Sequence, residues 1–373
     1  MNRPRRITLL QATAVLISTV IGVGVLALPR FTAQSMDTGA PLLTLLGLGV
    51  GFLGLILLTL LGMRFPQQTI LEYSEAILGK FLGRLGTLIL VLFFALLTAL
   101  IAREFGQVVV ASVLRKTPLE VTVLVMLLLA AIPSRNGIDV FAYIHQFYLP
   151  FILAPALVIV ALSLKNADPL FLQPILGNQP AGMFPGMLTV AALFQGSFVH
   201  TLIIPSMRRP QKAWVAALWG LGISGALYVV IAMATLSVFG PELTKQFFWP
   251  TLELAKATSL PGAVLERLDA PFLILWVMAV FTTLLSSYYV TAYGMSRLFN
   301  LQDHRLFSWF ILPFVFVLAM LPGNIHVLYD SIQWVGRAGL VPTILYPLLL
   351  LLVAALRGKR GASGGQQTTG QSS

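Results

Sequence analysis

Two short stretches carry residue types suited to holding a small molecule inside a membrane. "STVIGVGVLALPR", residues 18–30, sets Gly22, Val23 and Gly24 in the middle of an otherwise unbroken apolar run. "AALFQGSFVHTLIIP", residues 191–205, sets Gln195, Gly196 and Ser197 at a matching depth, with His200 one turn on. Glycine inside a helix costs roughly 1 kcal/mol against alanine, and a loosened backbone in hydrocarbon survives only where protein or a wet cavity satisfies its polar groups. A half-helix that starts after such a break turns free N–H groups and a positive dipole end toward an anion. Carbonyls ending the preceding half-helix suit a cation, so the two together suit a zwitterion such as an amino acid. Each glycine pair alone reads equally as a packing seam. Their matched placement in two halves of the chain favours a binding site at a repeat interface.

Other chemistry-bearing residues are few. Arg103 and Glu104 form an adjacent charged pair deep in an apolar run, and an intramembrane ionisable residue is a functional candidate by default. Neighbours on a helix point about 100° apart, so the two do not pair only with each other. Glu104 is the candidate for a coupling proton or a ligand ammonium. "FTTLLSSYYVTAYG" offers Thr283 and Ser287 on one face with Ser286 adjoining, the arrangement of a hydroxyl-lined ion site, although such hydroxyls more often bond back to their own helix. His145 and His200 read as proton-sensitive or as packing histidines. Arg337 is expected near the outer end of its span, snorkelling. Pro150, Pro155, Pro342 and Pro347 are expected to kink theirs.

The elements that position these residues follow from composition. Of 373 residues, 57% are hydrophobic and 10% charged, which predicts an all-α polytopic membrane protein. Apolar runs mark about ten spans at 8–29, 41–63, 86–113, 119–134, 140–164, 185–206, 212–239, 270–298, 306–322 and 328–356. Fifteen Lys and Arg fall on one side of these spans and seven on the other, which predicts both termini in the cytoplasm and an even span number. The net charge of +11 is explained by that asymmetry, so no nucleic-acid partner is expected. "MNRPRR" runs straight into a full-length span, which predicts no cleaved signal. Residues 1–357 are expected to form one transmembrane domain, repeat one at 8–164 and repeat two at 185–356, and 358–373 are expected to be a disordered cytoplasmic tail. Residues 70–81 have the spacing of an interfacial helix, and 241–270 is the longest external connection, partly helical.

With these elements placed, "IGVGVLALPR" resembles the first-helix motif of the amino acid–polyamine–cation transporter superfamily. "SRNGIDVFA", "FFWPTLELAKA", "LERLDAPFLILW" and "LPGNIHVLYD", in that order, resemble more narrowly the B-subunit family of bacterial spore germinant receptors, to about Arg357. The resemblance implies a five-plus-five inverted repeat with helices one and six broken. It implies a membrane-embedded sensor of nutrient germinants, usually L-amino acids, working with A-type and C-type subunits in the spore inner membrane. It places the ligand against residues 21–25. The carboxylate is then expected on the amides of Val23, Gly24 and Val25, and the ammonium on carbonyls near Val20, Ile21 and Phe194. Gly22 sits within the break, while Gln195, Gly196 and Ser197 line the other wall.

No phosphate-binding glycine loop, metal-ligand cluster or nucleophile–base spacing stands in the sequence, so neither enzyme activity nor a cofactor is expected. Two readings compete with the sensor: a proton-coupled amino acid transporter of the same fold, and an ion or water channel component. Substrate flux would mark the first, ligand-independent conductance the second.

Overall fold

The computed structural model describes residues 6–258, 268–301 and 303–361. The N-terminal half opens with α1 (Leu9–Val20), started by a capping box in which the Thr8 hydroxyl accepts from the Gln11 amide at 3.2 Å. The helix stops at Ile21, which is extended, and α2 (Gly24–Met36) resumes the crossing. A turn through Asp37, at φ 52°, leads into α3 (Ala40–Arg64). Next comes α4 (Ile70–Leu78), capped by Thr69 and Glu72; it covers most of the expected interfacial helix. Gly79, at φ 93°, makes the sharp turn into α5 (Lys80–Ser112) that a side chain would strain. The half closes with α6 (Leu119–Ser134) and α7 (Ile138–Ser163).

The second half also opens on a broken crossing. Its first crossing is α8 (Met183–Ala192), then a tight 3₁₀ stretch Gln195–Val199 and the short α9 (His200–Ile203), with a 41° bend at the break. Then follow α10 (Ala213–Gln246), interrupted at Gly240 ahead of Pro241, and the short external α11 (Pro250–Ala257). The last crossings are α12 (Asp269–Leu298), α13 (Arg305–Met320) and α14 (Ile325–Leu340), the last continued through a π-turn at Val341–Leu345 into α15 (Tyr346–Leu356). Pro342 falls in that π-turn, while α7 runs unbroken through Pro150 and Pro155.

Among the described residues, six segments are individually long and apolar enough to cross a membrane, one of them running through α2 and α3, and the bent pair makes a seventh. The sixteen-residue α6 and α13, and α1 joined to α2, account for the rest of ten crossings. Exposed side chains such as Leu53, Leu92, Phe314 and Leu352 face outward from the bundle, as a lipid-solvated surface requires. Residues 362–373 of the expected tail and 259–267 of the expected external connection lie outside the described residues.

Glycines let the broken crossings pack closely. On α3, a Cβ at Gly51 would meet Phe194 at 2.9 Å, and one at Gly47 or Gly62 would run into Val190 or Ile204. The two breaks also touch each other. A Cβ on Gly196 would stand 2.9 Å from Thr19 Cγ2 and 3.1 Å from the Thr19 carbonyl oxygen. On the side where the chain starts, the Arg6 and Ile7 amides donate to Ser206 O at 2.9 and 3.0 Å, and the Arg208 amide to Ile7 O at 2.9 Å. The start of the first crossing is thereby zipped to the end of the sixth.

Candidate ligand cavity at the broken helices

Between the two breaks lies a cavity with about 870 Å³ of atom-free space, its open mouth included. Of the residues expected from sequence, it brings together Val20, Val23, Gly24, Glu104, Gln195, Gly196, Thr283 and Ser287. Ile21 and Val25 instead line a smaller void of about 350 Å³ against α7, α10 and α12. Gly22 is pinned under Thr283, where a Cβ would clash with the hydroxyl. Phe194 packs on Tyr228 with ring centroids 5.4 Å apart, and Ser197 is buried beside it.

The break provides the donors. The Gly22 amide is taken by the Tyr228 hydroxyl; those of Val23, Gly24 and Val25 make no backbone hydrogen bond among the described residues, and the first that does is Leu26, to Val23 O at 3.1 Å. These free N–H groups sit at the N-terminus of α2, where the helix dipole adds its positive end. The carbonyls are less open than the sequence implied. Val20 O accepts from the Tyr228 hydroxyl at 2.6 Å, and Phe194 O from the Ser197 amide at 3.0 Å.

Glu104 is the acidic side chain of the cavity and is 3% exposed. It does not pair with Arg103, whose guanidinium donates to Pro322 O at 2.8 Å on another face of α5. The Tyr329 hydroxyl donates to Glu104 Oε1 at 3.2 Å and accepts in turn from Trp249 Nε1 at 2.5 Å. Tyr329 belongs to an aromatic roof, with Phe31 at 5.7 Å and Phe248 at 6.1 Å between ring centroids, and Arg30 lies 4.4 Å over the Phe248 ring. Aliphatic side chains complete the wall, chiefly Leu97, Leu100, Ile101, Leu193 and Ile332.

The hydroxyls of α12 give their protons to carbonyls. Thr282 and Thr283 donate to the carbonyls of Ser18 and Thr19 at 2.8 and 2.9 Å, and Ser287 to Leu284 O at 3.1 Å. His145, fully buried, lies against Ser18 and Ser286, one layer behind the cavity. His200 is equally buried, next to Ala213 O at 3.2 Å, and does not line the cavity. Arg337 corrects an expectation. It stands more than three turns into α14, and its guanidinium bonds Thr189 at 2.8 Å and Gln333 at 3.1 Å instead of reaching for the interface.

Tyr228, Tyr329, Thr19 and Gln333 are lining or supporting residues that sequence reasoning missed. Single tyrosines and threonines in apolar runs carry no spacing signal, and only the packing of distant spans gathers them here.

Comparison with known proteins fits this architecture. Residues 6–327 match the family described as spore germination protein. Spore germination protein YndE of Bacillus subtilis (strain 168) is 27% identical over 357 residues, covering 95% of this chain and 98% of the relative. Spore germination proteins A2 and B2 of the same organism are 25% and 26% identical, each over 95% of this chain and 97% of their own length. In backbone, the chain is similar to the solved structure of MhsT in complex with L-phenylalanine, with a TM-score of 0.68 at 14% identity over 95% of this chain and 90% of that one. That likeness is one of fold, the LeuT-type transporter fold, all-α and polytopic. The chain therefore belongs to the spore germination protein family, as a multi-pass, permease-like membrane protein.

Proposed function

We propose that this chain is the nutrient-sensing membrane subunit of a spore germinant receptor, and that its germinant is a small L-amino acid bound between the broken helices. One observation carries the reading. The unbonded amides of Val23 and Gly24, at the start of α2, and a buried carboxyl without a cationic partner, Glu104, border the same cavity. An amino acid brings the carboxylate that the first lacks and the ammonium that the second lacks. The aliphatic wall favours an apolar side chain. The relatives A2 and B2 are spore germination proteins, and MhsT of the same fold holds L-phenylalanine, which supports an amino acid at this place.

In this reading both termini are cytoplasmic, the membrane is the inner membrane of the spore, and A-type and C-type subunits read the conformational shift. Such a shift needs unequal ligand affinity for two states. The test is a thermal-shift screen of the purified chain against the common L-amino acids, since a ligand bound to the folded state raises its stability by mass action. A saturable shift with an apolar amino acid supports the reading; no shift with any, alone or with partner subunits present, refutes it. The transporter fold favours a second reading, proton-coupled uptake, which predicts flux of the same amino acid into liposomes holding this chain alone.

A further inference from the structure

Proton counting along the hydroxyls of the cavity gives a sharper statement about what it can bind. Five hydroxyl-bearing residues line it: Thr19, Thr189, Tyr228, Thr283 and Ser287. Each hydroxyl has one proton to give and two lone pairs to offer. Four protons are committed within the protein: Thr189 to Pro185 O at 3.1 Å, Tyr228 to Val20 O at 2.6 Å, Thr283 to Thr19 O at 2.9 Å and Ser287 to Leu284 O at 3.1 Å.

The fifth depends on His145. The Ser18 hydroxyl lies 2.7 Å from Ala14 O and 2.5 Å from His145 Nδ1. A carbonyl oxygen has no proton, so Ser18 must donate to Ala14 and accept from Nδ1–H. The imidazole is buried with no carboxylate hydrogen-bonded to it among the described residues, and an isolated buried charge is costly, so the ring is neutral and its Nε2 is bare. Ser286, 3.2 Å away, then donates to Nε2. Thr19, 2.6 Å from Ser286, must in turn donate to Ser286. Its proton is then committed to Ser286, and only its lone pairs remain to be offered.

Every lining hydroxyl thus offers acceptors only. Gln195 adds a further acceptor: one N–H of its amide donates to Gly336 O at 2.8 Å, and its buried carbonyl oxygen has no donor among the described residues. Glu104 already accepts from Tyr329.

We propose that this acceptor-lined wall is an ammonium subsite, and that His145, acting through Ser286, is the positioning residue that keeps the Thr19 hydroxyl an acceptor, so that the ligand must carry a primary ammonium. The proposal rests on the cavity being the ligand site and goes beyond that reading by naming which side chains select the group and what orients them. Of the titratable side chains on the elements around His145, α1 carries none; on α12, Tyr289 stacks on Phe141 at 4.9 Å, which itself lies 4.4 Å from the imidazole; on α7, Asp139 pairs with Arg6; Tyr228 on α10 bonds Val20.

The test compares L-leucine with its α-hydroxy analogue, (S)-2-hydroxy-4-methylpentanoate, which has the same shape but no ammonium. Binding of both is measured on the full chain and on Ser286→Ala, Thr19→Val and Thr19→Ser. The wild type is expected to prefer L-leucine. In Ser286→Ala the Thr19 proton is released to turn into the cavity, and in Thr19→Val the acceptor is gone. Each should cut the preference by about tenfold, the scale of one hydrogen bond. Thr19→Ser should restore it. An unchanged preference in both variants overturns the proposal.

If the wild type binds neither compound, the amino acid reading fails separately and the relay is decided by ¹⁵N resonances of the ring, assigned by their loss in His145→Asn. A proton on Nδ1 alone, with an Nε2 shift that moves in Ser286→Ala, supports the relay. A proton on Nε2 overturns it.

Discussion

Replacing Glu104 by glutamine separates the function of this carboxyl from its cost. Glu104 is 3% exposed, its hydrogen bond comes from Tyr329 at 3.2 Å, and Arg103 on the same helix is turned to Pro322. Glutamine keeps the volume, and its side-chain oxygen still accepts from Tyr329. The empty protein therefore loses no bond and is relieved of an acid buried without a cation, a change that is neutral or stabilising in comparable settings. The bound state loses a charge-assisted bond to the ammonium, worth about 1.5–3 kcal/mol. At about 1.4 kcal/mol per tenfold, affinity should fall by about ten- to a hundredfold. The assay is a thermal-shift titration of Glu104→Gln beside the wild type, reading both the ligand-free melting temperature and the half-saturating concentration. The expected pair is an unchanged or raised melting temperature and a weakened response. Wild-type affinity in the variant would refute the assignment of Glu104 to the ammonium. A collapse of the ligand-free protein would show that the carboxyl is structural.

Other predictions follow from the same geometry. Gly196→Ala forces a Cβ against the Thr19 backbone and should cost about 1–3 kcal/mol, whereas Gly24→Ala meets only Leu193 Cδ2, at 2.9 Å, the end of a flexible side chain; melting temperatures should fall further for Gly196→Ala, and the reverse order would contradict the packing described. Tyr228→Phe removes the 2.6 Å bond to Val20 O at the end of α1 and should cost about 1 kcal/mol or somewhat more, measured by thermal or denaturant unfolding. His304, in the connection ahead of α13, is held below its ordinary value by burial, against the bond to Ser134 O at 3.0 Å. The unfolded chain then takes up a proton that the folded one refuses, so stability falls as pH drops below about 6.5 and toward the lowered folded value. His304→Asn should show a shallower acid slope in melting temperature, and an identical slope would remove His304 from the account.

Much of the fold was legible because the solvent writes it. Runs such as 41–63 and 86–113 are apolar for the full thickness of a bilayer, and α3 and α5 stand there. The breaks were legible for the same reason, since Gly22 and Gly24, or Gly196 between Gln195 and Ser197, are conspicuous only against hydrocarbon. What stayed hidden depends on rotation about helix axes. Arg337 was expected to snorkel, but the face it occupies brings it to Thr189 and Gln333. Where Thr283 and Ser287 send their protons, to carbonyls of α1 and of their own helix, was hidden in the same way. Val20 O looked open until Tyr228, 208 residues away, closed on it. Such pairings between distant spans leave no periodic trace in one chain.

Equilibrium binding of the radiolabelled amino acid that gives a thermal shift, on the wild type and on Gly24→Leu, tests the central claim most directly. Gly24 borders the cavity, and a leucine there would fill the space between α2 and α8. Saturable binding by the wild type and its loss in a Gly24→Leu protein that still melts cooperatively is the predicted result. Equal binding by both proteins would contradict a ligand site between the broken helices.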